Sequence, residues 1–465
     1  MAGSAIAEHN LSPRRIIGFA CNQAFIFLML FRESAVDLPF ERFDLACLLF
    51  FMVLGFACVR ALGPNRFEKL FAQPLLYIYA VIGAVGLLPV QLFPDSGVAG
   101  VVLQGLFVGV PNALLLTAWG RSFGGMSTRV SVPEVFLGSL VGALVFLVFS
   151  LTPSSPIVIA ATCLLPVASA VNIEIPEHAQ QKEDVQAQSL GRDEERASAL
   201  SVKVLAGALL YGMAAGLMLP RLDGFAGMWP SSNQVGFILY GAFLIGALTL
   251  LLSDGFGRGA SLNKSYRLAV FVLMVGVLLA PWPLLSDSAL PGEAVVLAGS
   301  LGLETVLISL FLVLAEISGT DCALSFSTGF ALLFIGELVG VLASAGAVAV
   351  ASDALASYGV VVLAGVVSLL SYVFLFTERD FDALSQLVSE GDSLGDVCAH
   401  IVERFGLSNR EAEVLAFALR GRTSERIAQE LVISKSTVDT HLRRIYAKCD
   451  VHSRQELLDL AEASK

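Results

Sequence analysis

The chain predicts an all-α protein in two unequal parts: a polytopic bundle of twelve membrane-spanning helices, then a small four-helix C-terminal module. Three observations carry this. The 465 residues are 56% hydrophobic and only 15% charged, where soluble domains carry about 25%, and the mean hydropathy is +0.76. Apolar runs of near-membrane length recur throughout residues 1–376. Residues 396–465 return to mixed polar sequence with helical periodicity and capping signals.

Arg14 and Arg15 precede the first run, residues 16–31. A cleaved signal would need a small-residue site behind it, and Phe31-Arg32-Glu33 offers none, so the run reads as the first span. Further runs fall at 44–62, 74–93, 97–118, 133–151 and 156–172. Residues 173–200 are rich in Gln, Glu, Asp, Lys and Arg without an apolar period and read as a polar connector. Six more runs follow, at 201–219, 235–252, 267–285, 293–315, 326–350 and 357–376.

The layout is six plus six, and the basic residues orient it. Arg14/Arg15, Arg60/Arg66/Lys69, Arg121/Arg129, the connector and Arg258/Lys264/Arg267 all fall on one side. The opposite loops at 91–96, 152–155, 286–292 and 351–356 hold no lysine or arginine, and Arg221 is an exception in 220–234. Positive charge stays inside, so both termini are expected in the cytoplasm.

Polar groups at membrane depth are costly and concentrate where function is. Asn22 and Gln23 lie in the first run, Gln104 and Asn112 in the fourth, Glu304 in the tenth and Glu337 in the eleventh. With Tyr211 of the seventh as an aromatic wall, these seven form the candidate small-molecule site, and the two carboxyls are candidate proton carriers. For the amides, hydrogen bonding between packed helices is the competing expectation. Gly138–Gly142 and Gly336–Gly340 read as close helix packing. Trp119, Trp229 and Trp282, near run ends, read as interfacial anchors. The seven cysteines form no CxxC pair and have no histidine at metal spacing, so no disulfide framework, metal or cofactor is expected.

The acidic, polar residues 377–395 read as a linker, and 396–405 as a short amphipathic helix. Ser408 and Glu411 form a capping box, and Gly421 suits a left-handed helix end. Ser434 can cap a helix whose Val438, Leu442 and Ile445 share one side. At 100° per residue, Ser436, Thr440, Arg443 and Arg444 share the other. An apolar back with a hydroxyl and guanidinium front suits the major groove, where arginine forks onto guanine or phosphate. From Arg420 to Lys448, seven basic residues face three acidic ones, a patch and not a strongly basic domain. Ser453 and Glu456 form a second capping box before a last helix, 455–463.

On Leu407, Arg410, Glu411, Val414, Leu415, Gly421, Ile427, Ala428, Leu431, Ser434, Thr437, Val438, His441, Ile445, Lys448 and Val451 to Arg454, the C-terminal module resembles the helix-turn-helix domain of the LuxR family of bacterial regulators. Asp439 and Cys449 depart from the family pattern, which more often has a basic or polar residue and an aliphatic one there. The resemblance implies promoter binding as a homodimer through the last helix, where Leu457, Leu458, Leu460 and Ala461 offer an apolar surface. RNA polymerase is a further partner it allows. The candidate DNA contacts are Lys435, Ser436, Thr437, Thr440, Arg443, Arg444 and Lys448, with Lys435 and Lys448 on phosphates.

The six-plus-six layout resembles the major facilitator superfamily, built from two related halves. Asp254-Gly255-Phe256-Gly257-Arg258 is similar to that family's loop motif, whereas the equivalent loop 60–69 has Gly63 and Arg66 but no acid at the expected place. The resemblance implies a central cavity lined by spans one, four, seven and ten.

No phosphoacceptor domain, kinase motif, Walker loop or Ser/His/Asp set is present in the sequence, so no enzyme is expected. The reading is a one-component membrane regulator that senses a small molecule in residues 1–376 and binds promoter DNA through 396–465. The competing readings are a working transporter with a regulatory tail, and a membrane scaffold whose tail binds protein.

Overall fold

In a computed structural model the description covers residues 11–175, 194–219, 231–253, 260–280, 292–374 and 397–463, apart from breaks of one to seven residues within these stretches. Among the described residues, sixteen helices of 7 residues or more organise the chain. The first six are α1 (Pro13–Leu30), α2 (Phe43–Leu62), α3 (Gln73–Gly86), α4 (Gly97–Gly124), α5 (Thr128–Leu151) and α6 (Pro156–Val171). The next six are α7 (Glu194–Met218), α8 (Ser232–Ser253), α9 (Ala260–Leu279), α10 (Gly292–Ser318), α11 (Cys322–Val350) and α12 (Ala354–Phe374). The C-terminal module is α13 (Asn409–Leu419), α14 (Ser424–Glu430), α15 (Lys435–Cys449) and α16 (Arg454–Ala463). Short turns at Phe67–Leu70 and Leu88–Leu92 flank α3.

Local chemistry sets many of the starts. Ser12 and Ser155 each cap a helix whose first residue is proline, accepting from Arg15 N and Val158 N. Proline there gives up an amide that would be unpaired anyway. Pro111, Pro133 and Pro166 sit inside α4, α5 and α6, as buried membrane helices tolerate.

Nine of the described helices are long and apolar enough to cross a membrane, with Pro156–Val171 and Gly359–Tyr372 as shorter apolar ones. α1, with Arg14 and Arg15 in its first turn, falls outside this set. Hydropathy underestimated helix length: α4 runs on to Gly124 and α11 begins at Cys322, outside the apolar runs. Likewise α7 begins at Glu194, inside the stretch expected to be connector. Apolar content reports the thickness of the membrane, whereas a helix continues until something stops it.

The two halves pack in matching ways. In the first, α1 lies on α5 and α6, α4 on α2 and α3, and α3 on α6; in the second, α7 lies on α11 and α12, α10 on α8 and α9, and α9 on α12. Adding six to each helix of the first half reproduces the second. The halves meet mainly through α2 on α11 and α5 on α8, two contacts that the same rule exchanges. Each is built on phenylalanine: Phe56 stacks on Phe330 at 5.8 Å, and Phe146 on Phe237 at 3.8 Å.

Glycine decides the tightest contact, α7 on α11. A Cβ on Gly212 or Gly216 would strike the carbonyls of Leu333 and Glu337, and one on Gly336 or Gly340 those of Leu209 and Met213. The expected packing role of Gly336–Gly340 is thus matched by a reciprocal pair on the facing helix. Gly138 and Gly142 play the same part for α5, against Phe19 and Gln23 of α1. Near the start of α1 a buried ion pair adds direction. Glu134 accepts two bonds from the Arg15 guanidinium and one from Ser12 N, each at 2.7 Å.

One expected anchor is a core residue instead. Trp119 is fully buried, edge-on to Phe19, with its indole N–H donating to Ser169 Oγ at 2.8 Å. The sequence places it near a run end, but α4 continues past it and turns its ring inward. Trp229, Trp282, the 254–258 loop, the 377–395 linker and Gly421 lie outside the described residues.

The C-terminal module has its own core, in which Val414, Leu415, Ile427, Val438, Ile445 and Leu457 are buried. Val397 and Ile401, from the short helical stretch before α13, are buried in the same cluster.

Candidate nucleic-acid interface and ligand cavity

The interface is built on α15. Ser434 accepts from Thr437 N at 3.1 Å and starts the helix, and Asp450, in the left-handed region at φ 54°, ends it. Val438, Leu442, Ile445 and Cys449 are buried, so the apolar back expected from the periodicity is present. Lys435, Ser436, Thr437, Thr440, Arg443 and Arg444 are all exposed on the other side. Ser436 and Thr437 are within hydrogen-bonding distance of Ser434 Oγ, and Thr440 donates to Ser436 O at 2.8 Å. These bonds leave hydroxyls close to the helix surface, where a base edge can approach. Lys435 pairs with Glu425 on α14; both are exposed, and such a pair exchanges readily for a phosphate.

Lys448 stands apart from this face. Its ammonium donates to Gly406 O at 2.9 Å and to Glu411 Oε2 at 2.7 Å, while that same carboxylate oxygen accepts Ser408 N at 2.8 Å. One carboxylate thus caps α13 and ties down the C-terminal end of α15. The Lys448 ammonium, then the Ser408 amide, hold the Glu411 carboxyl down at about 2. Two other arginines of the family pattern also serve the module itself. Arg410 donates to Leu431 O at 3.2 Å and Arg454 to Ala418 O at 3.1 Å, satisfying carbonyls at helix ends. Sequence spacing marks basic residues without saying which are spent internally.

The expected dimer surface changes too. Leu457 and Ala461 are buried in the module's core, and Leu458 and Leu460 are half-buried against it. The apolar stripe of α16 is consumed first by packing on α13. Cys449, in place of an aliphatic residue, is buried as a small hydrophobe, and burial pushes its thiol up.

In the membrane part, a cavity of about 600 Å³, counted with its open mouth, lies among α1, α7, α9, α10 and α11. It brings together Tyr211, Glu304 and Glu337. Asn22, Gln23, Gln104 and Asn112 do not line it. Gln23 faces Gly142 of α5, so its helix turns it into the α1–α5 contact. Asn22 and Asn112 are buried as well, and Gln104 is half-buried. Sequence reasoning missed Ser300, one turn before Glu304, and Phe31 at the end of α1. Spacing from Glu304 would have found the serine; nothing in the sequence marked the phenylalanine.

Residues 406–461 match the family of bacterial regulatory proteins called luxR. Over 87 residues the chain is 38% identical to an Escherichia coli response regulatory protein, YgeK, covering 18% of this chain and 59% of that protein. Over 56 residues it is 41% identical to the Escherichia coli fimbriae Z protein, covering 12% of this chain and 27% of that one. The chain therefore spans less than two thirds of these relatives' lengths.

The human organic anion transporter MFSD10 superposes with TM-score 0.53 at 13% identity, covering 78% of this chain and all of that one. The Escherichia coli xylose transporter XylE gives 0.50 at 13% identity, over 79% and 96%. The class is a multi-pass membrane protein of the major facilitator fold with a DNA-binding regulator domain attached. That domain, residues 406–461, matches the luxR family of bacterial regulatory proteins.

Proposed function

We propose that this protein is a membrane-embedded, one-component transcription regulator. Residues 1–376 bind a small molecule, 377–395 tether, and 396–465 bind promoter DNA as a homodimer in the cytoplasm, beneath the inner membrane. The observation that carries this is α15, which buries Val438, Leu442 and Ile445 and presents Ser436, Thr440, Arg443 and Arg444 outward. In the groove Arg443 and Arg444 reach base edges or phosphates, and Ser436, Thr437 and Thr440 permit close approach. The input is the cavity holding Tyr211, Glu304 and Glu337. Glu337 lies between Gly336 and Gly340, so a ligand there touches the α7–α11 contact directly. Its effect on DNA requires different affinities for two arrangements of the bundle.

The test is footprinting of promoter DNA by the full-length protein in lipid nanodiscs. Sequence-specific protection is expected, falling roughly ten- to hundredfold in Arg443→Ala, the worth of a bidentate base contact. Equal affinity for cognate and random duplex would sink the reading. The major facilitator fold supports a second reading, a transporter with a regulatory tail. Substrate flux in vesicles carrying the protein without residues 377–465 would favour that reading; ligand binding without flux favours the regulator.

A further inference from the structure

We infer that the cavity takes a small organic cation: an amine, protonated or quaternary, on an apolar body. The inference rests on the cavity being the input site, and it adds the chemistry of the ligand. Glu304 and Glu337 come from adjacent helices, α10 and α11, and line one space. Around them the lining is apolar, chiefly leucine from α9, α10 and α11, with Phe31 and Met218. Its other polar side chains are Tyr211 and Ser300, and among the described residues it holds no lysine, arginine or histidine.

Glu337 is 7% exposed, and its Oε2 is buried without a hydrogen-bond partner. The Tyr211 hydroxyl lies 2.7 Å from that of Tyr266, so it already has a partner. A buried acceptor left unpaired costs free energy, and a buried carboxylate without a counter-charge costs more.

The same features count against three other ligand classes. An anion would find no lysine, arginine or histidine among the described lining residues to pair with. A neutral hydrocarbon would fill the apolar wall and leave Oε2 unpaired. A metal ion wants three or more hard donors, and no such cluster exists among the described residues. A cation with an apolar body satisfies both surfaces: its charge sits between the carboxylates and its body lies on the leucines.

The experiment uses full-length protein in nanodiscs of zwitterionic lipid, with two probes of similar size. Benzyltrimethylammonium carries a permanent positive charge and phenylmethanesulfonate a permanent negative one. By equilibrium dialysis, the cation is expected to bind saturably, the anion neither to bind nor to compete, and Glu337→Gln to weaken the cation at least tenfold. Equal binding of the two probes overturns the inference, as does absence of saturable cation binding. Cation binding that survives in the Glu304→Gln, Glu337→Gln double variant overturns it too. If a variant fails to fold, the comparison of the two probes on the wild-type protein still decides.

Promoter affinity is read in the same nanodiscs to separate this inference from the sensing role. Saturable cation binding that leaves promoter affinity unchanged upholds the ligand class and counts against sensing. An anion that binds and shifts promoter affinity upholds sensing and overturns the ligand class.

Discussion

Glu411 shows how one carboxylate can organise a small domain. It caps α13 through Ser408 N and holds Lys448, and its carboxyl is held at about 2 against an ordinary 4.5. The folded value lies below the unfolded one, so this stabilisation is complete above about pH 4.5 and is lost as pH falls towards 2. Far-UV circular dichroism of residues 397–465 is expected to show acid unfolding across that window. Glu411→Gln should be less stable at pH 7 and lack this component; an unchanged acid profile would count against the account.

Lys435 and Lys448 divide along the same line. Lys435→Gln is expected to reduce the slope of log affinity against log salt by roughly one phosphate contact. Lys448→Gln should lower the melting temperature of the module and leave that slope alone. A slope that drops equally in both would restore Lys448 to the phosphate contacts. Spacing placed both lysines on α15; only the position of Glu411 in space separates their roles.

At the scale of elements, α15 was legible and the cavity was not. A helix on a surface declares its two faces, because the buried residues recur at i, i+4 and i+7 and the rest are polar. A helix in a bilayer has apolar neighbours on every side, so depth can be read but rotation cannot. Asn22, Gln23, Gln104 and Asn112 have the right depth and a different azimuth, and do not line the cavity. The glycines carry more information, since close backbone approach is their usual use in membranes. Gly336→Ala sets a methyl against Leu209 O. A loss of about 1–3 kcal/mol, the usual cost of overpacking, is expected. Thermal unfolding in detergent measures it, and Gly346→Ala, where a Cβ meets open space, is the control.

For the whole molecule, the regulator reading requires the module to lie on the chromosome's side of the membrane. The basic residues at helix ends predict this, and reporter fusions test it. A cytoplasm-active reporter after Lys465 should be active, and an export-active one silent. The opposite pattern would disconnect the module from DNA and end the proposal.

Composition and apolar runs by themselves determined twelve helices in two sixes and a soluble end, because water-to-membrane transfer is a property of local sequence. Caps and periodicity determined α15 for the same reason: its signals lie within a few residues of one another. Tertiary structure alone decided that α7 and α11 meet glycine to carbonyl, that Trp119 turns inward, and that Lys448 is spent on Glu411. It also decided that two carboxylates from neighbouring helices share one space. Each of these depends on the rotation of one helix against another, which packing sets and hydropathy does not encode.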